Sequence, residues 1–313
     1  MTSRLVARFR PLRTLAIAAV LALAVGAPAS VDAQGMENVQ IRTQQVADGV
    51  YVLFGQGGNI GVSVGEDGVF IIDDQFAPLT ERILAAIAAI TDEPVRFVFN
   101  THWHGDHTGG NENMGEAGAL IVAHDNVRER MSTEQVLQRI GRPVSTTPAS
   151  PEGALPVVTF SEDVSFHING GQLHAFHVSN AHTDGDAIVR FVDANVVHMG
   201  DTFFRGRFPF IDTASGGSID GLIAAVGDAL AVMDPDTRVI PGHGDVATRA
   251  DLQAYGDALK AMRAAVAALI AQGHDLETIQ SRRPIRAQAE AWGQDRASED
   301  TFVATIHHGL GGR

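Results

Sequence analysis

Residues 101–111 read THWHGDHTGGN and place His102, His104, Asp106 and His107 within six positions. The whole chain of 313 residues holds only 13 histidines. Crowded imidazoles repel one another once protonated and gain little by packing. A cation resolves the conflict, because neutral imidazole and carboxylate are the donors that zinc accepts. Residues 95–99 read as a buried strand that ends at this stretch. His102 and His104, two apart on an extended backbone, then project to the same side. Gly105 offers a sharp turn that sends Asp106 and His107 to a neighbouring position. Four donors in six residues crowd one ion, whereas two ions about 3.5–4 Å apart divide them.

A two-ion site needs more ligands, and three candidates stand at strand-to-loop junctions. His182 lies in SNAHTDGD, Asp201 ends VVHMGD, and His243 lies in IPGHGD. Each has glycines nearby. The carboxylate of Asp201 has two oxygens and can offer one to each ion.

The absence of cysteine excludes disulfides, cysteine-type zinc sites and thiol catalysis. Ser161, Ser165 and Ser179 lack the Gly-x-Ser-x-Gly setting of a serine nucleophile. Residues 1–33 have the pattern of a secretory signal peptide: Arg4, Arg8, Arg10 and Arg13 precede an apolar run at 15–25, followed by small residues at 27–29 and 31–33. A periplasmic or secreted protein is expected, with no membrane attachment once the leader is removed. The leader carries four arginines and one aspartate, so the remainder has a formal charge of −17 against −14 for the whole chain. So acidic a protein has no general attraction for nucleic acid. A small-molecule substrate is the expected partner.

Strands are predicted over 50–64, broken by the turn Gly57-Gly58-Asn59, and over 69–72. Ile83, Leu84, Ile87 and Ile90 share a face of a helix over 80–90 that Thr80 can cap. Residues 141–153 read as a loop. Strand signals recur at 157–160, 173–178, 187–192, 196–199 and 238–240, with a helix over 219–233. From Arg249 onward Leu252, Tyr255, Leu259, Met262 and Val266 follow helical spacing. Two β-rich halves with outer helices predict two sheets packed face to face between helical layers. The expected division is a leader at 1–33, a hydrolase domain at 34–248 and a helical extension at 249–313.

HWHGDH followed in order by AHTDGD, MGD and PGHG resembles the metallo-β-lactamase superfamily, over roughly residues 50–245. The resemblance implies an α/β fold, an αββα four-layer sandwich with two Zn²⁺ ions between its sheets. It implies that His102, His104 and His182 hold one ion, that Asp106, His107 and His243 hold the other, and that Asp201 bridges them. Water held by zinc has a pKa of about 7, so the implied reaction is attack of a metal-bound hydroxide on a carbonyl carbon. Asp106 is the implied catalytic residue, orienting that hydroxide.

Many metallo-β-lactamases carry cysteine or serine where Asp201 stands. Aspartate is instead the pattern of glyoxalase II-like thioesterases and lactone hydrolases in the same superfamily. The expected leader favours β-lactams, which meet their targets in the periplasm. β-Lactams on one side and lactones, thioesters or other esters on the other therefore both stand as substrates. Iron-dependent persulfide dioxygenases share the superfamily and supply a third reading. The di-iron members replace a box histidine with glutamate, whereas position 104 is His. A purely structural zinc module is disfavoured, since such sites close four ligands around one ion and favour cysteine.

Asp73 reads equally as a carboxylate that orients a ligand histidine and as a solvated turn residue. Trp103 reads as packing beneath the metal loop. Arg205 and Arg207, among Phe203, Phe204, Phe208 and Phe210, either pair with a substrate carboxylate or lie exposed on a packing loop. The turn at 56–59 resembles the mobile loop that covers substrate in relatives. His174, His177, His198, His307 and His308 are not expected to bind the catalytic ions.

Overall fold

The computed structural model describes residues 35–137, 140 and 143–312; the expected leader at 1–33 lies outside the described residues. Within them, Val69, Phe70, Ile71 and Ile72 are fully buried, and their alternation generates the layers. Residues two apart share one face of a strand. Phe70 and Ile72 enter a core between two sheets, whereas Val69 and Ile71 enter a second core beneath helices.

The first sheet has seven strands: β1 (Arg42–Ala47), β2 (Val50–Phe54), β3 (Ile60–Gly65), β4 (Gly68–Ile72), β5 (Val95–Asn100), β6 (Leu120–His124) and, beyond a small hairpin of β7 (Gln135–Leu137) and β8 (Ser145–Thr147), β9 (Val158–Phe160). β1 to β4 pair antiparallel, and β4, β5, β6 and β9 pair parallel. The second sheet runs in sequence order through β10 (Asp163–Ile168), β11 (Gly171–His177), β12 (Ala187–Phe191), β13 (Val196–His198), β14 (Arg238–Ile240) and β15 (Ala247–Thr248). Between the sheets Phe70, Phe99, Phe160 and Phe166 form ring contacts, with Phe70 and Phe166 centroids 4.9 Å apart.

Outside the first sheet lie α1 (Thr80–Ala88), α2 (Gly105–Thr108), α3 (Asn111–Glu116) and α4 (Asp125–Met131). Leu79, Ile83, Ile87 and Met114 cover its outer face. Outside the second sheet, α5 (Ile219–Ala231) buries Leu222 and Val226 against Ile188, Val197 and Val239. Four further helices follow: α6 (Arg249–Ala271), α7 (Leu276–Arg282), α8 (Arg286–Ala291) and α9 (Arg296–Gly309). Their residues Leu252, Leu259, Ile279, Phe302 and Ile306 belong to the same core as α5. None of the described helices is long and apolar enough to cross a membrane.

The αββα sandwich is the architecture the sequence pattern implies. Some local expectations need correction. The cap of α1 is Leu79, reached through a 3-10 turn, and Thr80 lies inside the helix, where its hydroxyl accepts from Asn113 Nδ2 at 3.1 Å. The stretch 141–153 contains β8 and a 3-10 turn at Glu152–Ala154. The strands β1, β6 and β10 escaped the sequence reading. β10 shows the reason: its apolar residues alternate with Asp163, Ser165 and His167 on an exposed edge, a weaker signal than a continuous apolar run.

Phe99 is fully buried between the sheets at the end of the strand that delivers the histidine motif. Phe99→Ala is expected to cost about 3–5 kcal/mol, read as a lower urea midpoint at unchanged slope.

Candidate metal centre

β5 ends at Asn100, and the chain passes through Thr101, His102 and Trp103 to His104, the extended N-cap of α2. Here one expectation fails. A Cβ at Gly105 would meet nothing within 4 Å, so glycine is not what turns the chain. The turn arises as α2 begins, with the amides of His107 and Thr108 donating to His104 O at 3.0 and 3.1 Å. The glycines that the site does require come from elsewhere. A Cβ on Gly58 would stand 2.1 Å from the His107 ring, and one on Gly242 would stand 2.1 Å from Asp201 Oδ1.

The other ligand candidates arrive from the second sheet. The loop after β11 is folded around Asp186, whose carboxylate accepts from His182 N at 2.6 Å, Thr183 N at 2.8 Å and Thr183 Oγ1 at 2.6 Å. Asp201 lies in a 3-10 turn after β13, and His243 follows β14. All seven residues meet at one end of the sandwich. His102, His104 and His182 present ligand atoms within 4.8 Å of one another; so do Asp106, His107 and His243, and so do His102, His107 and Asp201.

Asp201 divides its oxygens. Oδ1 stands 3.2 Å from His107 Nε2 and 3.4 Å from His243 Nε2, while Oδ2 stands 3.6 Å from His182 Nε2 and 3.9 Å from His102 Nε2. His102 Nε2, His107 Nε2 and Asp201 Oδ1 are buried without a hydrogen-bond partner. Buried polar atoms rarely stay unsatisfied, and here they converge on common points. The donor set and its orphaned atoms fit two borderline-hard cations such as zinc.

The opposite ring nitrogens are held by the protein, as ligand histidines require. His107 Nδ1 meets Asp73 Oδ2 at 2.7 Å, and His102 Nδ1 meets Thr101 Oγ1 at 3.0 Å. His182 Nδ1 donates to Phe210 O at 2.7 Å. His104 is reversed: its Nε2 faces Asp212 Oδ2 at 3.0 Å, leaving Nδ1 toward the site. Asp73 is fully buried and accepts from both Thr101 N and Thr101 Oγ1. The solvated reading of Asp73 therefore fails. Its φ of 65° lies in the left-handed region, a strained conformation that side-chain-bonding residues tolerate best. Thr101, Asp186 and Asp212 were not singled out in the sequence. Only Asp212 lay beyond the reach of a local signal, since Thr101 opens the motif and Asp186 closes the HTDGD turn.

Burial alone would push the Asp106 and Asp201 carboxyls up. The charges of His107 and His243 outweigh it and hold both below the usual carboxylate range. Burial would push His107 and His243 down, but Asp201 outweighs it with help from Asp106; His107 is held well above an ordinary imidazole and His243 is pushed up to about 9. His182, buried and beside His104, is instead pushed down to about 4. Without a cation, protons thus occupy the Asp106–His107–His243 side of the site, while His102 and His182 stay neutral.

Other residues take quieter places. Trp103 packs among Ala123, Val127 and Met131, beneath the metal loop. His198 Nε2 meets Asn59 O at 3.0 Å, within the sheet-to-sheet contact. His177 stacks on His124 with centroids 3.8 Å apart, away from the seven. Gly61–Gly65, GVSVG, does match the serine pentad, but it forms β3, with partners on both sides, and Ser63 Oγ accepts from Asn169 Nδ2. That is no exposed elbow. The turn at 56–59 is a brace: Gly58 N donates to Asp106 O, Asn59 N to Gly242 O, and Asn59 Nδ2 to Pro241 O and Gly244 O.

Comparison with known proteins agrees with this geometry. The family model described as "Metallo-beta-lactamase superfamily" matches residues 54–274. A hydroxyacylglutathione hydrolase of a Polaromonas species is 28% identical over 169 residues, covering 53% of this chain and 55% of that protein. The 2,4-dinitroanisole O-demethylase subunit alpha of a Nocardioides species is 25% identical over 174 residues, covering 54% and 46%. The chain thus spans about half the length of these curated relatives. Among solved structures, a metallo-beta-lactamase from Pontibacter korlensis superposes with a TM-score of 0.57 at 19% identity, covering 71% of this chain and 99% of that one. The DIM-1 metallo-beta-lactamase gives 0.57 at 18%, covering 71% and 98%. These two show the fold alone.

Asp73→Asn keeps the shape but weakens the hold on His107 Nδ1, and is expected to lower zinc affinity about 10- to 100-fold in chelator competition. His243 must lose its proton to bind a cation. Below pH 9 it holds that proton in the metal-free protein, and His107, held well above an ordinary imidazole, must lose one too, so affinity is expected to rise at least about tenfold per pH unit toward that value. Calorimetry at pH 7 in buffers of different ionisation enthalpy should show proton release on zinc binding.

Proposed function

The chain belongs to the metallo-β-lactamase superfamily, and from that premise we propose that it is a zinc-dependent hydrolase with two ions, acting on a carboxylic ester, thioester or lactone. The observation that carries the two-ion reading is the division of the Asp201 oxygens between His107 and His243 on one side and His102 and His182 on the other. Two ions held there would supply an activated water and a Lewis acid for the carbonyl oxygen.

The protein's own groups do the rest. Asp106 Oδ2 lies 3.3 Å from His243 Nε2, and the side chain is 31% exposed, against 5% for Asp201. It is the carboxylate of the cluster that substrate and water can reach, and it stays anionic. We assign it to orienting the attacking water. Asp201 is enclosed and positions its neighbours.

The arginines separate. Arg205 is committed to the protein, donating to Val246 O and pairing with Asp251 Oδ2 at 3.3 Å. Arg207 lies over the Phe204 ring at 5.3 Å and borders the same cavity as His243. It is the residue we assign to an anionic group of the substrate.

Two observations support an ester or thioester: aspartate at position 201, and hydroxyacylglutathione hydrolases among the curated relatives. A second reading, β-lactam hydrolysis in the periplasm, is favoured by the signal-like residues 1–33.

The test is turnover by zinc-loaded protein on a panel of aryl esters, thioesters, lactones and a chromogenic cephalosporin. Activity on the first three, lost on chelation and reduced about 10²- to 10⁴-fold in Asp106→Ala, is the expected result. Cephalosporin turnover with no ester activity would replace it by the second reading. No turnover of any substrate at two zinc ions per chain would defeat both.

A further inference from the structure

Phe210 stands between the ligand cluster and a cavity. Its carbonyl oxygen accepts from His182, and its ring stacks on His104 with centroids 5.7 Å apart. The same residue lines a cavity of about 500 Å³ that lies between the 208–213 loop and α9. A second cavity, about 490 Å³, reaches His243 and Arg207. Gln294, at the start of the α9 region, borders both. The two cavities thus meet at one side chain, one leading to the ligand cluster and the other leading away from it under the C-terminal helices. Both volumes lie in the range of ordinary small-molecule sites, about 300–1,000 Å³.

The lining of the Phe210 cavity is chemically specific. Phe208, Phe210, Ile211 and Phe302 supply its apolar part, beside polar residues that include Thr213, Gln294, Ser298, Thr301 and Thr305. Among the described residues, no lysine, arginine or histidine lines it, and the one ionisable residue is Asp295, which is the N-cap of α9 and accepts from Ser298 N at 2.8 Å. The positive end of that helix is therefore already matched by a carboxylate. Among the described residues, an anionic arm would meet one like charge there, Asp295, and no cation. An uncharged apolar arm would bury its surface against three phenyl rings.

We propose that this cavity receives an uncharged acyl or aryl arm of the substrate, so that α9 sets specificity at the metal site. The inference rests on the hydrolase reading and narrows it to esters or thioesters with a neutral, apolar acyl or leaving group. Polyanionic thioesters are disfavoured at this end of the trough, and Arg207 remains for a single anionic group at the other.

Trp292 reports on the cavity directly, because its ring lies 5.6 Å from that of Phe208. The binding test uses 2-phenylacetamide, a neutral aryl amide, added to the full zinc-loaded protein and to its metal-free form. Trp292 fluorescence should saturate in both. Thr301→Phe and Thr305→Phe, which fill the cavity, should weaken binding at least about tenfold, whereas Thr301→Val should not. A Trp292→Phe protein should lose the signal, separating it from Trp103. The kinetic test uses p-nitrophenyl esters from acetate to octanoate. kcat/KM should rise about two- to fourfold per added methylene, and the filled variants should flatten that slope while acetate turnover holds. Binding that ignores both filling substitutions, or a flat chain-length series in the unaltered protein, would overturn the proposal. Saturable binding blocked by the filling variants, in a protein that turns over no ester, would uphold the cavity and defeat the hydrolase reading instead.

Discussion

A carboxylate buried to 5% exposure, as Asp201 is, is tolerable only if each oxygen finds positive charge or a strong donor. In the metal-free protein the protonated His107 and His243 meet that demand at one oxygen, while the other faces the neutral His102 and His182 and stays open to a cation. Those four histidines come from three separated loops, so one buried charge ties together the end of both sheets. Gly242 must lack a side chain for the carboxylate to fit. The same logic makes the site a cation trap, because removing the protons from His107 and His243 leaves anionic oxygens and bare nitrogens facing one space.

Holding those imidazoles in place requires a further ring of acceptors, and each comes from a different part of the fold. Asp73, at the end of β4, grips His107 and the start of the histidine motif together. Asp212 sets His104 so that its Nδ1 faces inward, and Phe210 O fixes His182. The brace at Gly58 and Asn59 links the first sheet to the His243 loop. Phe210 and Asp212 lie in one loop, so the segment that orients two ligands also borders the cavity beneath α9.

Much of this was legible in the chain itself. The spacing of His102, His104, Asp106 and His107 declares a metal loop, since no other use explains three imidazoles so close. The strand-end positions of His182, Asp201 and His243 complete the set, and the unbroken apolar run at 69–72 is the pattern of a strand buried on both faces. These are local signals: they depend on neighbours within a few positions. The same locality explains the misreadings at Thr80 and Gly105, where a plausible residue type was credited with a role that backbone geometry fills.

What the tertiary structure alone decided is which groups face one another. Asp73 and His107 are 34 positions apart, and His104 and Asp212 are 108 apart; no periodicity records such pairs. Arg205 and Arg207 look alike in sequence and both border the cavity at His243, yet one is tied to Asp251 and Val246 while the other lies over the Phe204 ring. The turn at 56–59 looks like a free flap and is instead pinned at Gly58 and Asn59. The ligands were determined by residue chemistry at short range. Their orientation, their protonation and the cavity beside them depend on sheets and helices meeting across long stretches of chain, where burial sets the energies.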